Sequence, residues 1–148
     1  MFVQIAIGSV IIVLSVLVGG VGVLAMEIGF AKWHRWLVTK PHRPKMLVVM
    51  VSVSLLVLAV ITTGVWIWAL TFYGLGLFQT FEESMYFALI TYTTLGFGDV
   101  LLAQDWRLLG GMAAANGLLN FGLLTALLVE ALRHVRLGQM GTPEKHRD

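Results

Sequence analysis

Three long stretches of the chain carry no charged side chain: Met1–Met26, Met46–Phe81 and Leu108–Val129. Each reaches the roughly 20 apolar residues needed to cross a hydrocarbon core about 30 Å thick. The pattern predicts three spanning helices, over Val3–Phe30, Met46–Tyr73 and Trp106–Val135. Between the second and third, Gly74-Leu75-Gly76 ends one helix and Thr80-Phe81-Glu82-Glu83 opens another, with Thr80 as N-cap and Glu83 at the third helical position of a capping box. The helix so opened, Phe81–Thr93, is too short to span and suits a re-entrant segment. Non-helical backbone at membrane depth is tolerated only where protein buries it or water lines it.

Composition narrows the class. The 148 residues are 58% hydrophobic and 12% charged, with a mean hydropathy of +0.87, against about 25% charged residues in soluble domains. The expected fold is an all-α integral membrane protein, and three spans in this length leave no room for a soluble catalytic or nucleotide-binding domain. Cysteine is absent, which removes disulfide and thiol chemistry. Met1-Phe2-Val3-Gln4 lacks the positive n-region of a signal peptide, and the apolar run exceeds a usual h-region, so the first span is expected to stay.

Charge sets the orientation. Lys32, Arg35, Lys40, Arg43 and Lys45 crowd the segment between the first two spans, and Arg133, Arg136, Lys145 and Arg147 follow the third. Both regions are therefore expected on the cytoplasmic side. Glu82, Glu83, Asp99 and Asp105 face Arg107 alone between the second and third spans, so that segment and the N-terminus are expected outside. Trp33, Trp36, Trp66, Trp68, Tyr73 and Trp106 fall where interfacial aromatic belts lie. The basic loop is also suited to anionic lipid, although topology alone accounts for it.

Chemistry concentrates in Thr91-Tyr92-Thr93-Thr94-Leu95-Gly96-Phe97-Gly98-Asp99-Val100. Glycines at alternate positions can take φ > 0, which residues with a Cβ avoid, and this turns successive carbonyls toward one side. A Gly-x-Gly pair alone marks a plain turn. Here it follows a short apolar helix and lies between two spans.

With those flanks the segment resembles the selectivity filter of the tetrameric potassium channels, and helix, short helix, filter and helix resemble their two-helix pore module. The likeness covers Met46–Arg136 and leaves the first helix outside. Asp105-Trp106-Arg107 and Gly117-Leu118-Leu119-Asn120-Phe121-Gly122-Leu123-Leu124-Thr125-Ala126-Leu127 are similar, without a gap, to the inner helix of bacterial pH-gated potassium channels. Gly-Phe-Gly-Asp also resembles the second pore segment of two-pore-domain channels.

The resemblance implies K⁺ sites at Thr94, Leu95, Gly96, Phe97 and Gly98, made by backbone carbonyls with the Thr94 hydroxyl closing the innermost. It implies filter support from Tyr86, Phe87 and Asp99, with Tyr86 hydrogen-bonding Asp99 and the Phe97 ring wedged behind the filter. Gly117 takes the gating-hinge position, and Leu118, Phe121 and Thr125 the face lining a water-filled cavity. Leu95 stands where valine or isoleucine is usual, Ile90 where some channels carry a glutamate, and no proline follows Asp99.

Other residues read more plainly. Gly8, Ser15, Gly19 and Gly22 form a small-residue stripe expected to pack against the second span or a neighbouring subunit, and Gly111, Ala115, Gly122 and Ala126 a stripe between inner helices. Asn116 and Asn120 are expected to bond Ser52, Ser54 or the short helix, since buried amides in lipid need partners. Glu130 and His134, one turn apart, read as a solvated pair in preference to a proton-sensitive latch. Arginines at three-residue spacing are absent, which excludes a voltage sensor of that kind.

The sequence reading is thus a passive potassium channel and not an enzyme. It has three transmembrane helices, a re-entrant pore helix and a filter, and assembles as a C4 homotetramer. The expected regions are 1–30 (peripheral helix), 31–45 (basic loop), 46–136 (pore module) and 137–148 (tail). K⁺ as permeant ion, no cofactor, membrane lipid, no nucleic acid and a plasma or inner membrane location are expected. The rivals are a poorly selective cation channel, a small proton-coupled transporter and a non-conducting accessory bundle.

Overall fold

A computed structural model describes residues 1–38 and 42–140. Their regular structure is helical: α1 (Phe2–Val38), α2 (His42–Gly74), α3 (Phe81–Tyr92), a single 3₁₀ turn (Gln104–Trp106) and α4 (Arg107–Met140). Three helices are long and apolar enough to cross a membrane, over Phe2–Gly29, Leu47–Gly74 and Gln104–Glu130.

The helix ends differ from the sequence expectation around the basic segment. α1 runs eight residues past Phe30 and α2 opens four residues before Met46. No helix breaker occurs before Pro41, and Pro44 sits in the first turn of α2, where its missing N–H is not needed. Most of the stretch expected as a loop is therefore helix. α4 likewise continues through Gly138 to Met140. The tail from 141, Lys40 and the side chains of Trp33, His34, Trp36, His42, Arg43, Lys45, His134, Arg136 and His146 lie outside the described residues.

The inward face of α1 is built mostly of small residues, as expected where lipid tails are as apolar as any side chain and close packing drives association. α1 buries Gln4, Gly8, Ser15 and Gly22, a single stripe at helical spacing. This stripe packs against the second span, as expected, and also along α4: a Cβ at Gly8 would strike Met112, and one at Gly22 would lie 2.9 Å from Val60. Gln4 donates a hydrogen bond from Nε2 to the Asp105 carbonyl, just ahead of α4.

The core joins α2, α3 and α4 through Val65, Trp68, Ala69, Phe72, Phe87, Ala88, Tyr92, Leu109 and Ala113. Phe72 meets Phe87 edge-on with centroids 5.2 Å apart, and Phe78 lies 5.1 Å from Phe87. Such pairs add about 0.5–1.5 kcal/mol each beyond area burial. Trp68 is fully buried in this cluster, which corrects its expected place in an interfacial belt. Two residues apart on a helix, Trp66 and Trp68 point to nearly opposite sides. Trp66 stays exposed, 5.6 Å from Phe81.

Candidate functional site

α3 is the element that sets the site. Thr80 caps it, with extended backbone (φ −121°, ψ 152°) and a side chain accepting from the Glu83 amide at 3.2 Å. Glu82 and Glu83 occupy its first turn, where the positive helix end favours acidic groups. At its other end Thr93 N–H bonds the Leu89 carbonyl at 3.0 Å, and the chain then leaves the helix.

Beyond Thr93 the backbone takes positive φ at every second residue: Thr94 (60°), Gly96 (53°) and Gly98 (79°). Two hang from the last turns of α3. The Thr94 amide bonds the Thr91 carbonyl at 2.9 Å and the Gly96 amide bonds the Ile90 carbonyl at 3.0 Å. For Gly96 and Gly98 this conformation is free of Cβ penalty, whereas at Thr94 it is strained and the surroundings must hold it. A Cβ at Gly96 or Gly98 would meet no atom of the chain within 4 Å, so backbone angle alone demands glycine there.

Thr94 to Asp99 lie exposed along the surface of the single chain. The Leu95 and Phe97 side chains are 60% and 68% exposed. Phe97 therefore has no pocket within its own chain. Tyr86 and Phe87, neighbours on α3, diverge: Phe87 enters the aromatic core, while the Tyr86 hydroxyl donates to Asp99 Oδ2 at 2.6 Å. Asp99 Oδ1 accepts from the Val100 amide at 3.1 Å. The Tyr86 bond holds the Asp99 carboxyl below the usual carboxylate range, and the same bond to the carboxylate raises Tyr86.

On α4 the exposed face carries Gly111, Ala115, Leu118, Gly122, Thr125 and Ala126, with Phe121 at its border. Gly117 lies on the opposite, buried face. A Cβ there would overlap the Tyr92 carbonyl, so close packing against the end of α3 already requires glycine at the position that resemblance assigns to a hinge.

Asn116 and Asn120 are buried on that same face, and of the expected partners Ser52, Ser54 or the short helix, Asn120 meets the short helix. Asn120 Nδ2 lies 2.9 Å from Ser15 Oγ on α1, 2.9 Å from the Tyr92 hydroxyl and 2.9 Å from Asn116 Oδ1. Tyr92 belongs to the short helix, one of the expected alternatives, whereas Ser15 of the first span was not among them. Tyr92, Ser15 and Gly64 were missed by sequence reasoning. Gly64 on α2 leaves the space that the Tyr92 ring fills. Near the far end of α4, Glu130 pairs with Arg133 at 2.9 Å, both exposed. Among the described residues no group of three His, Cys, Asp or Glu is placed to hold a metal.

Residues 54–134, more than half of the chain, match the family described as ion channel. The chain belongs to this ion channel family. The match runs from Ser54 on α2 through α3 and the Thr94–Asp99 segment to His134 on α4, which agrees with a potassium-channel-type pore module and leaves α1 outside. This channel chain is a multi-pass membrane protein. No curated protein and no solved structure matches it.

Proposed function

We propose that four copies of this channel chain assemble around an axis and conduct K⁺ passively through stacked rings of backbone carbonyls from Thr94, Leu95, Gly96, Phe97 and Gly98. The observation that carries this reading is the alternation of left-handed backbone at Thr94, Gly96 and Gly98. Residues of alternating hand turn successive carbonyls toward one side, and oxygen rings of this kind replace an ion's hydration shell. One chain supplies one such segment, and closure around an ion takes about four, related by cyclic symmetry.

Exposure supports the assembly. The segment, the Phe97 ring and the small-residue face of α4 are open in the single chain, and a neighbouring copy would cover them. α3 is then a re-entrant pore helix. Its last residue, Tyr92, touches Gly64 and Gly117, and Gly64 lies ten residues from the end of α2, about 15 Å at 1.5 Å per residue. The negative end of α3 is aimed at the depth where a cation loses its water. Below the filter, Leu118, Phe121 and Thr125 line the cavity. The basic flanks place the N-terminus outside and the C-terminus in the cytoplasm of a cell that carries the channel in its plasma or inner membrane. No side chain performs chemistry, K⁺ is the permeant species, and lipid surrounds the three spans.

Reversal potentials of purified protein in planar bilayers test the reading. Replacing K⁺ by Na⁺ on one side shifts the potential by tens of millivolts if the filter selects K⁺. A shift near zero would establish the rival, a poorly selective cation channel. Proton-driven uptake surviving Gly96→Ala would instead point to a transporter.

A further inference from the structure

At Tyr92 the pore helix touches all three spanning helices. Its ring fills the space left by Gly64 of α2, its carbonyl abuts Gly117 of α4, and its hydroxyl meets Asn120 of α4 at 2.9 Å and Ser15 of α1 at 3.5 Å. Ser15, Tyr92, Asn116 and Asn120 are each at most 2% exposed. Thr94, two residues on, is the single non-glycine residue with left-handed backbone among those described.

The hydrogen-bond arithmetic of this cluster does not close with one fixed arrangement. Asn120 Nδ2 carries two hydrogens, yet four acceptors surround it: Ser15 Oγ, the Tyr92 hydroxyl, Asn116 Oδ1 and the Asn116 carbonyl at 3.2 Å. Asn116 Nδ2 is buried without a partner. Only two of these contacts are bonds from Asn120 at any one time, and the Ser15 and Tyr92 hydroxyls, 3.5 Å apart, can donate to each other. At this depth no bulk water replaces a lost one.

We propose that Ser15, Asn120 and Tyr92 form a positioning device through which the N-terminal helix α1 holds the inner end of the filter in its conducting geometry. The inference rests on the proposed K⁺ conduction. The chain of contact is short. Thr94 and Gly96 hang by their amides from the carbonyls of Thr91 and Ile90, so their placement follows the last turn of the pore helix. Tyr92 fixes that turn. Gly117 and Gly64 limit it from two sides by contact alone, while the hydroxyl is its directional link, and α1 supplies one of the two side chains that hold it. Thr94 is strained and relaxes if the turn rotates. α1 lies outside the matched family region and yet touches the residue on which the filter depends.

The test uses the full chain in planar bilayers, with the K⁺/Na⁺ permeability ratio as readout and oligomer size and melting temperature in detergent as controls. Ser15→Ala and Tyr92→Phe are each expected to lower the ratio about fivefold, the factor one hydrogen bond of ordinary net strength represents. Ser15→Thr, which keeps the hydroxyl, restores it to within about twofold of wild type. The double variant falls no further than the worse single one, because both break the same link. Should Tyr92→Phe not assemble, Ser15→Ala against Ser15→Thr decides the matter alone. A wild-type ratio in Ser15→Ala, with or without a lower melting temperature, overturns the inference and leaves the cluster a packing device. Wild-type protein that does not discriminate K⁺ from Na⁺ overturns the conduction reading itself.

Discussion

The carbonyl of Tyr92 sits where the side chain of Gly117 would be if that residue had one. The contact joins the end of α3 to the first third of α4. Gly117→Ala must push these two backbones apart, and overpacking of this sort typically costs about 1–3 kcal/mol. The expected result is a lower melting temperature of the purified oligomer together with reduced K⁺ flux. A hinge role alone would leave the melting temperature unchanged and alter only opening, so the pair of measurements separates the two.

Gly96→Ala is expected to act through backbone angle. No atom of the chain crowds the new methyl, but φ of 53° costs an L-residue about 1–2 kcal/mol, repeated in every copy of the ring. K⁺-dependent flux into liposomes should be lost while oligomer size on a sizing column is retained.

Acidity should act at Asp99. Its carboxyl is held low by the Tyr86 hydroxyl, so the contribution is present above the ordinary carboxylate range, near pH 4, and is lost as pH falls through the lowered value. Tyr86 is raised, so its share is complete below about pH 10 and is lost as pH rises through that raised value. Flux is therefore expected to be flat between these limits. Tyr86→Phe should move the acid limb upward, toward the ordinary carboxylate value, as a pH series of flux or an NMR titration of Asp99 would register.

Thr80→Ala removes the cap of α3 and is expected to cost about 1 kcal/mol, read as a lower melting temperature in detergent. Thr80→Ser, which keeps the oxygen that accepts from Glu83, should restore most of it.

The spans, the capped short helix and the glycine pair were legible in the sequence for one reason: each is dictated by a local rule. Lipid demands unbroken apolar length, a helix start demands an acceptor, and left-handed backbone demands glycine. The Tyr86–Asp99 bond was legible through resemblance. Tyr92 was not. A tyrosine ending an apolar helix resembles any packed aromatic, and its partners Ser15 and Asn120 stand 77 and 28 residues away. Asn116 and Asn120 announced a need for partners, but only the packing of α1 on α4 shows which. Trp68 was not legible because its position along the span is that of Trp66, while the side of the helix it occupies turns it into the core.

The bonds of the N-terminal helix carry a consequence for biosynthesis. Gln4 and Ser15 find their partners in Asp105 and Asn120, 101 and 105 residues later. At ribosomal speeds of roughly 5–20 residues per second, the first segment threaded into the bilayer waits on the order of ten seconds for the last. Through that interval the Ser15 hydroxyl has only the carbonyls of its own helix to bond, and the tie between α1 and α4 forms once α4 has entered the bilayer.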